Sequence, residues 1–137
     1  MSFVNTFGEA PSFLRRRYSN EWTSVDLAIT EVPFDQAVTY RPGARFGPRA
    51  LREASSLLTY DLPYGWGFDP LSDFTLVDYG DMTSDYTKIA KFPAALTAHI
   101  HTILSAGASS LVLCGDHSIS LPVLRAHAAK YGPLSPL

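Results

Sequence analysis

Three apolar runs punctuate the chain: VDLAITEVPF at 25–34, FTLVDYGDM at 74–82 and SSLVLCGDHS at 109–118. Each follows a break-prone segment and closes in a loop rich in Gly, Asp or Pro, the profile of a buried strand whose C-terminal end carries a loop. Between and after these runs the apolar spacing turns helical. From Gly47, GPRALREASSLL places Pro48 at a first helical position and sets Ala50, Leu51, Ala54, Leu57 and Leu58 on one apolar face. In KIAKFPAALTAHIHTILSAG, Ile89, Phe92, Leu96, Ile103 and Leu104 do the same, and Gly107 suits the stop. A third helix is expected from near Ile119, with Leu121, Leu124 and Ala128 turned inward.

Strand and helix alternating three times predict an α/β fold, a parallel sheet with helices on its faces. Ligands of such sheets gather at the carboxyl ends of the strands, where EVPFD, DYGDM and CGDHS all fall. The expected organisation is an N-terminal arm over 1–24 and one α/β unit over 25–137. The aromatic, Pro- and Gly-rich stretch TYDLPYGWGFDPLSD reads as an ordered surface loop.

Composition narrows the class. The 137 residues suffice for one domain that removes about two-thirds of its unfolded surface from water. Hydrophobic content of 46% with 18% charged residues fits a soluble globular chain, and a net charge of −2 gives no reason to expect nucleic acid. Arg15, Arg16 and Arg17, flanked by Glu9 and Glu21, read as a solvated arm. No run reaches the roughly 18 to 20 apolar residues of a membrane span, and His99 and His101 interrupt the longest candidate. The first twenty residues lack a basic start followed by an apolar core, so a cytoplasmic location is expected. Cys114, the single cysteine, reads as a small buried hydrophobe of its strand.

Candidate chemistry centres on His117, beside Asp116 at the end of the third apolar run. Taken alone, its default reading is still a structural imidazole bonded to a backbone carbonyl. Asp116, His117 and Ser118 are not a hydrolase triad, because three consecutive side chains point in different directions. His99 and His101 would share a face only on a strand, and their surroundings are helical; His127 lies on the last helix with no evident partner. PGARFGPRALREAS has two glycines but neither established phosphate-loop pattern, so it reads as a turn and helix start with Arg49 and Arg52 on the polar side. Asp78 and Asp81 could bind a cation or share a proton, and turn formation at Gly80 explains them as well.

Taken together and in order, RPGARFGPRALREAS, VDYGDM and CGDHSISLPVLRAHAAKYG resemble the N-terminal half of the ureohydrolases, the arginase and agmatinase superfamily. SISLPVLRA after the His is closer to the agmatinase-like branch. The resemblance covers roughly Val25 to Gly132 and implies a three-layer α/β sandwich, a pair of manganese ions, and release of urea from a linear guanidino compound such as agmatine or guanidinobutyrate. In that chemistry a hydroxide shared by two cations, its pKa lowered by both, attacks the guanidinium carbon. By resemblance His117 is a manganese ligand, Asp116 and Ser118 support its loop, and Cys114 stands where the family usually has Gly. Complete enzymes of the family are implied to be trimers or hexamers.

The family draws its other ligands from D-A-H-x-D and D-x-D-x-x-D-P motifs, which this sequence does not contain. Asp61 and Asp69 have the wrong spacing to replace them. A lone imidazole is a weak manganese site, and Pro136 lacks the amide a central strand needs. The chain is therefore expected to be an N-terminal fragment of an agmatinase-like enzyme, inactive alone, with an exposed apolar edge on its third strand. The rival expectations are a non-catalytic fragment that pairs with full-length relatives, and a small nucleotide or phosphate site at the strand ends.

Overall fold

A computed structural model describes residues 11–21, 24–59, 64–69 and 71–135. Pro136 and Asp61, both weighed above, lie outside the described residues. Three parallel strands, β1 (Leu27–Val32), β2 (Leu76–Asp81) and β3 (Ser109–Cys114), form one sheet in the order β2-β1-β3. The helices are α1 (Gly47–Ser55), α2 (Phe92–Ser105) and α3 (Ser120–Tyr131). The chain moves outward from β1 to β2 and then back across β1 to β3. Right-handed crossovers therefore put α1 and α2 on opposite faces, giving the three layers expected.

The main core lies on the α2 and α3 face. Ala28 and Val32 of β1 and Val77 of β2 meet Leu96, Ile100, Ile103 and Leu104 of α2 and Ala126 of α3. Phe34, just past β1, stacks on Phe92 at the start of α2, with centroids 3.8 Å apart. Each fully buried aliphatic side chain contributes about 1.5–3 kcal/mol, so this face supplies most of the hydrophobic stabilisation.

The other face departs from the expected pattern. The face that α1 turns to the sheet consists of Pro48, Arg52 and Ser55, while Ala50, Leu51, Ala54, Leu57 and Leu58 are exposed. The expected orientation is thus inverted, and the reason lies in the sheet: β1 and β2 present Glu31 and Asp78 to α1, and an apolar helix face would leave these buried carboxyl groups without donors, which Arg52 supplies. On α3 the buried positions are Pro122 and Ala126, and Leu121, Leu124 and Ala128 face outward. Ile89 falls in the short turn before α2 and is exposed, whereas the rest of that predicted face is buried. Cys114 is exposed rather than buried, because it ends a strand at the sheet's margin.

Residues 12–19 of the predicted arm are fastened to β2 and α1. Asp78 donates its amide to the Arg17 carbonyl at 2.9 Å, Ser19 donates to the Asp78 carbonyl at 3.0 Å, and the Leu14 amide donates to Ser55 Oγ at 2.8 Å. Arg15 and Arg16 are accordingly half-buried, and Arg17 is exposed. Among the described residues no strand pairs with the outer edge of β3, where Leu111 is 41% exposed.

Candidate functional site

A β-bulge organises the acidic side chains. β1 pairs Ile29 with Asp78, then Thr30 with Gly80 and Glu31 with Asp81, so Tyr79 is an extra residue. Three positions apart on a regular strand, Asp78 and Asp81 would face opposite ways; the extra residue puts both on the α1 face. Gly80 makes this possible twice over. Its φ of +83° suits glycine, and a Cβ there would lie 2.2 Å from the Tyr18 hydroxyl.

Arg52 meets this face from α1. Its Nε and Nη2 donate to the two oxygens of Asp78 at 2.8 and 2.9 Å, a fork-to-fork pair. Its Nη1 donates to Glu31 Oε2 at 2.8 Å and to Asp81 Oδ1 at 3.3 Å. Asp78 also accepts from the Phe13 amide at 2.7 Å and the Gly80 amide at 2.9 Å. Glu31, Asp78 and Arg52 are buried, while the Asp81 side chain is 58% exposed. The sequence hint was a glutamate inside an apolar strand; the partner that completes it, Arg52, read as a solvent-side residue.

The His117 region stands at the adjacent strand end. Gly115 follows β3 where a Cβ would lie 2.0 Å from the Phe34 carbonyl oxygen, so only glycine fits. Two bonds join the segments there: Gly115 N to Val32 O at 3.1 Å and Asp116 N to Phe34 O at 2.8 Å. Asp116 is buried and accepts from the Ser118 amide at 2.9 Å, the Ser118 hydroxyl and the Ala37 amide at 2.9 Å. It therefore braces the loop, as expected, and presents His117 on an exposed turn with Nδ1 3.3 Å from Ser120 Oγ.

The glycine-rich segment is not an open phosphate cradle. Its amides already point at Asp35, whose Oδ2 accepts from Gly43 N at 2.7 Å and Arg45 N at 3.3 Å, with Arg45 Nε at 3.1 Å. Burial would raise the Asp35 pKa, but these donors outweigh it and hold the carboxyl below its usual range. The remaining histidines behave as the helical reading requires. His99 points inward, its Nε2 2.8 Å from Thr30 Oγ1 and its ring edge-on to Tyr79, and burial lowers its pKa. His101 is exposed near Ser105, and His127 Nδ1 sits 2.9 Å from the Val123 carbonyl. No group of three or more His, Cys, Asp or Glu among the described residues has the geometry to hold a metal. The described residues therefore do not by themselves form a two-metal centre.

Parallel strands, loops converging at their carboxyl ends and a histidine displayed on a braced turn define an α/β scaffold with its candidate site at the strand ends. Residues 25–136 match the arginase family, and the chain belongs to it. An agmatinase of Chromobacterium violaceum is 45% identical over 131 residues, 96% of this chain and 41% of that protein. The crystal structure of a hypothetical agmatinase from Burkholderia thailandensis, also 45% identical, superposes with a TM-score of 0.88 over 93% of this chain and 40% of its own. A Trypanosoma cruzi formiminoglutamase solved with Mn2+ has a TM-score of 0.70 at 25% identity, covering 90% of this chain and 41% of its own. The chain thus spans about two-fifths of the length of these relatives. Among the described residues no helix is long and apolar enough to cross a membrane.

Proposed function

We propose that this chain is the N-terminal portion of an agmatinase-type, manganese-dependent ureohydrolase, acting in the cytoplasm on a linear guanidino compound, with His117 as one metal ligand. The carrying observation is the agreement in sequence and fold with agmatinases over nearly the whole chain, with His117 on an exposed turn at the end of β3. The chain's own part is structural. Gly115 lets the turn close on β1, and Asp116 fixes it through the Ala37 amide, so that the turn carrying the imidazole is held at the strand ends. With no group of three or more candidate ligands among the described residues, the chain alone is expected to release no urea.

A urea assay with agmatine and guanidinobutyrate plus Mn2+ tests this. The chain alone is expected to be inactive. Joined to the remaining portion of an agmatinase, it is expected to release urea and to lose more than about tenfold in manganese affinity on His117→Ala. Turnover by the chain alone that His117→Ala abolishes would refute the inactivity; unchanged manganese affinity in the joined protein would refute the ligand role. The unpaired edge of β3 favours a second reading, pairing with full-length relatives, for which co-purification is the measurement.

A further inference from the structure

The Arg52 cluster holds one atom that its ion pairs do not explain. Glu31 Oε2 is taken by Arg52, but Oε1 is buried with no hydrogen-bond partner, although the Glu31 side chain is only 2% exposed. An ionised, unpartnered carboxylate oxygen in that position is costly. Asp81 converges on the same Nη1 as Glu31, and the bulge has brought it to the same face. Three carboxylates thus share one guanidinium, a deficit of positive charge that a single proton reduces.

We propose that Glu31 stands in the folded protein as a neutral carboxylic acid whose proton is shared with Asp81, a proton latch that fastens α1 to the ends of β1 and β2. The orphaned Oε1 then becomes a donor to a carboxylate, and Oε2 remains the acceptor for Arg52. The other charged and titratable groups around it are accounted for. Asp78 is saturated by Arg52 and two amides, Arg49 bonds Glu53 at 2.9 Å, and Arg45 bonds Asp35. Tyr18 and Tyr86 line the clefts beside Glu31, and the β3 neighbour opposite it, Leu113, is apolar. Burial first, then the bond with Asp81, push the Glu31 carboxyl from 4.5 up to about 8, against the pull of Arg52.

The sign follows. Through Glu31 the folded chain holds one proton more than the unfolded chain between pH 4.5 and about 8. The stabilisation is complete below the unfolded value and is lost as pH rises through about 8. Other shifted groups lie outside the upper part of this window: His99 moves down from 6.5, Asp35 and Asp85 down from 3.8, and Tyr86 up from 10.0. Above the window Asp81, the exposed member, is the carboxylate free to swing from the ionised Glu31, releasing the end of β2 from α1.

Carboxyl carbon-13 NMR of glutamate-labelled chain reads the proton directly, since the sequence has four glutamates, at 9, 21, 31 and 53. One resonance is expected to titrate near pH 8 and to move down in Asp81→Asn; four midpoints near 4.5 would overturn the proposal. In parallel, the unfolding equilibrium constant is expected to rise about five-fold between pH 7 and 8, and Glu31→Gln to flatten that slope. Equal slopes in the two proteins would overturn the proposal, and if Glu31→Gln does not fold the wild-type titration decides.

Discussion

Replacing Arg52 by Met keeps an unbranched stem and removes the guanidinium with its charge. At neutral pH, with Glu31 protonated, the change strands Asp78, which is fully buried and loses both arms of the fork at 2.8 and 2.9 Å. Removing one partner of a buried pair costs about 3–5 kcal/mol. The amides of Phe13 and Gly80 still reach Asp78, so the lower end, about 3 kcal/mol, applies. The contact with the half-solvated Asp81 adds little, because exposed pairs contribute about 0–1 kcal/mol. Against a domain stability of about 5–15 kcal/mol the loss is large. Urea unfolding followed by circular dichroism at pH 7 measures it. Arg52→Lys is expected to recover less than half, since an ammonium restores charge but not the planar fork. Adding Asp78→Asn to Arg52→Met should cost far less than the sum of the single changes, as expected of directly bonded groups. A loss below about 1 kcal/mol for Arg52→Met would show that the cluster does not hold α1, and the account of its inverted orientation would fall.

Gly115→Ala forces a Cβ onto the Phe34 carbonyl and must part β3 from the 33–35 segment. Two backbone bonds are lost, so about 1–3 kcal/mol is expected by the same unfolding measurement. Ile103→Ala is expected to cost about 2–5 kcal/mol and Leu57→Ala less than about 0.5, although a reading of apolar periodicity makes both core positions.

The order of elements and the parallel sheet were legible from the chain, because strand runs and helical spacing are local and short right-handed crossovers leave few topologies. CGDHS at a strand end singled out His117, and the family resemblance rather than the local pattern implied a bracing Asp116, with which the geometry around Asp116 agrees. Which face of α1 turns inward was not legible. Apolar periodicity finds a helix's core face only when the surface it meets is apolar, and here that surface carries Glu31 and Asp78. The same holds for Asp78 and Asp81, whose spacing of three assigns them opposite faces until one extra residue reverses the second. A bulge depends on the partner strand, on Gly80 at positive φ and on Tyr18 lying over it, all contributed by segments distant in sequence. Local pattern thus determined the elements and the histidine at the strand end. Long-range pairing decided which charges meet, because burial makes a charge's partner a matter of free energy that no single segment contains.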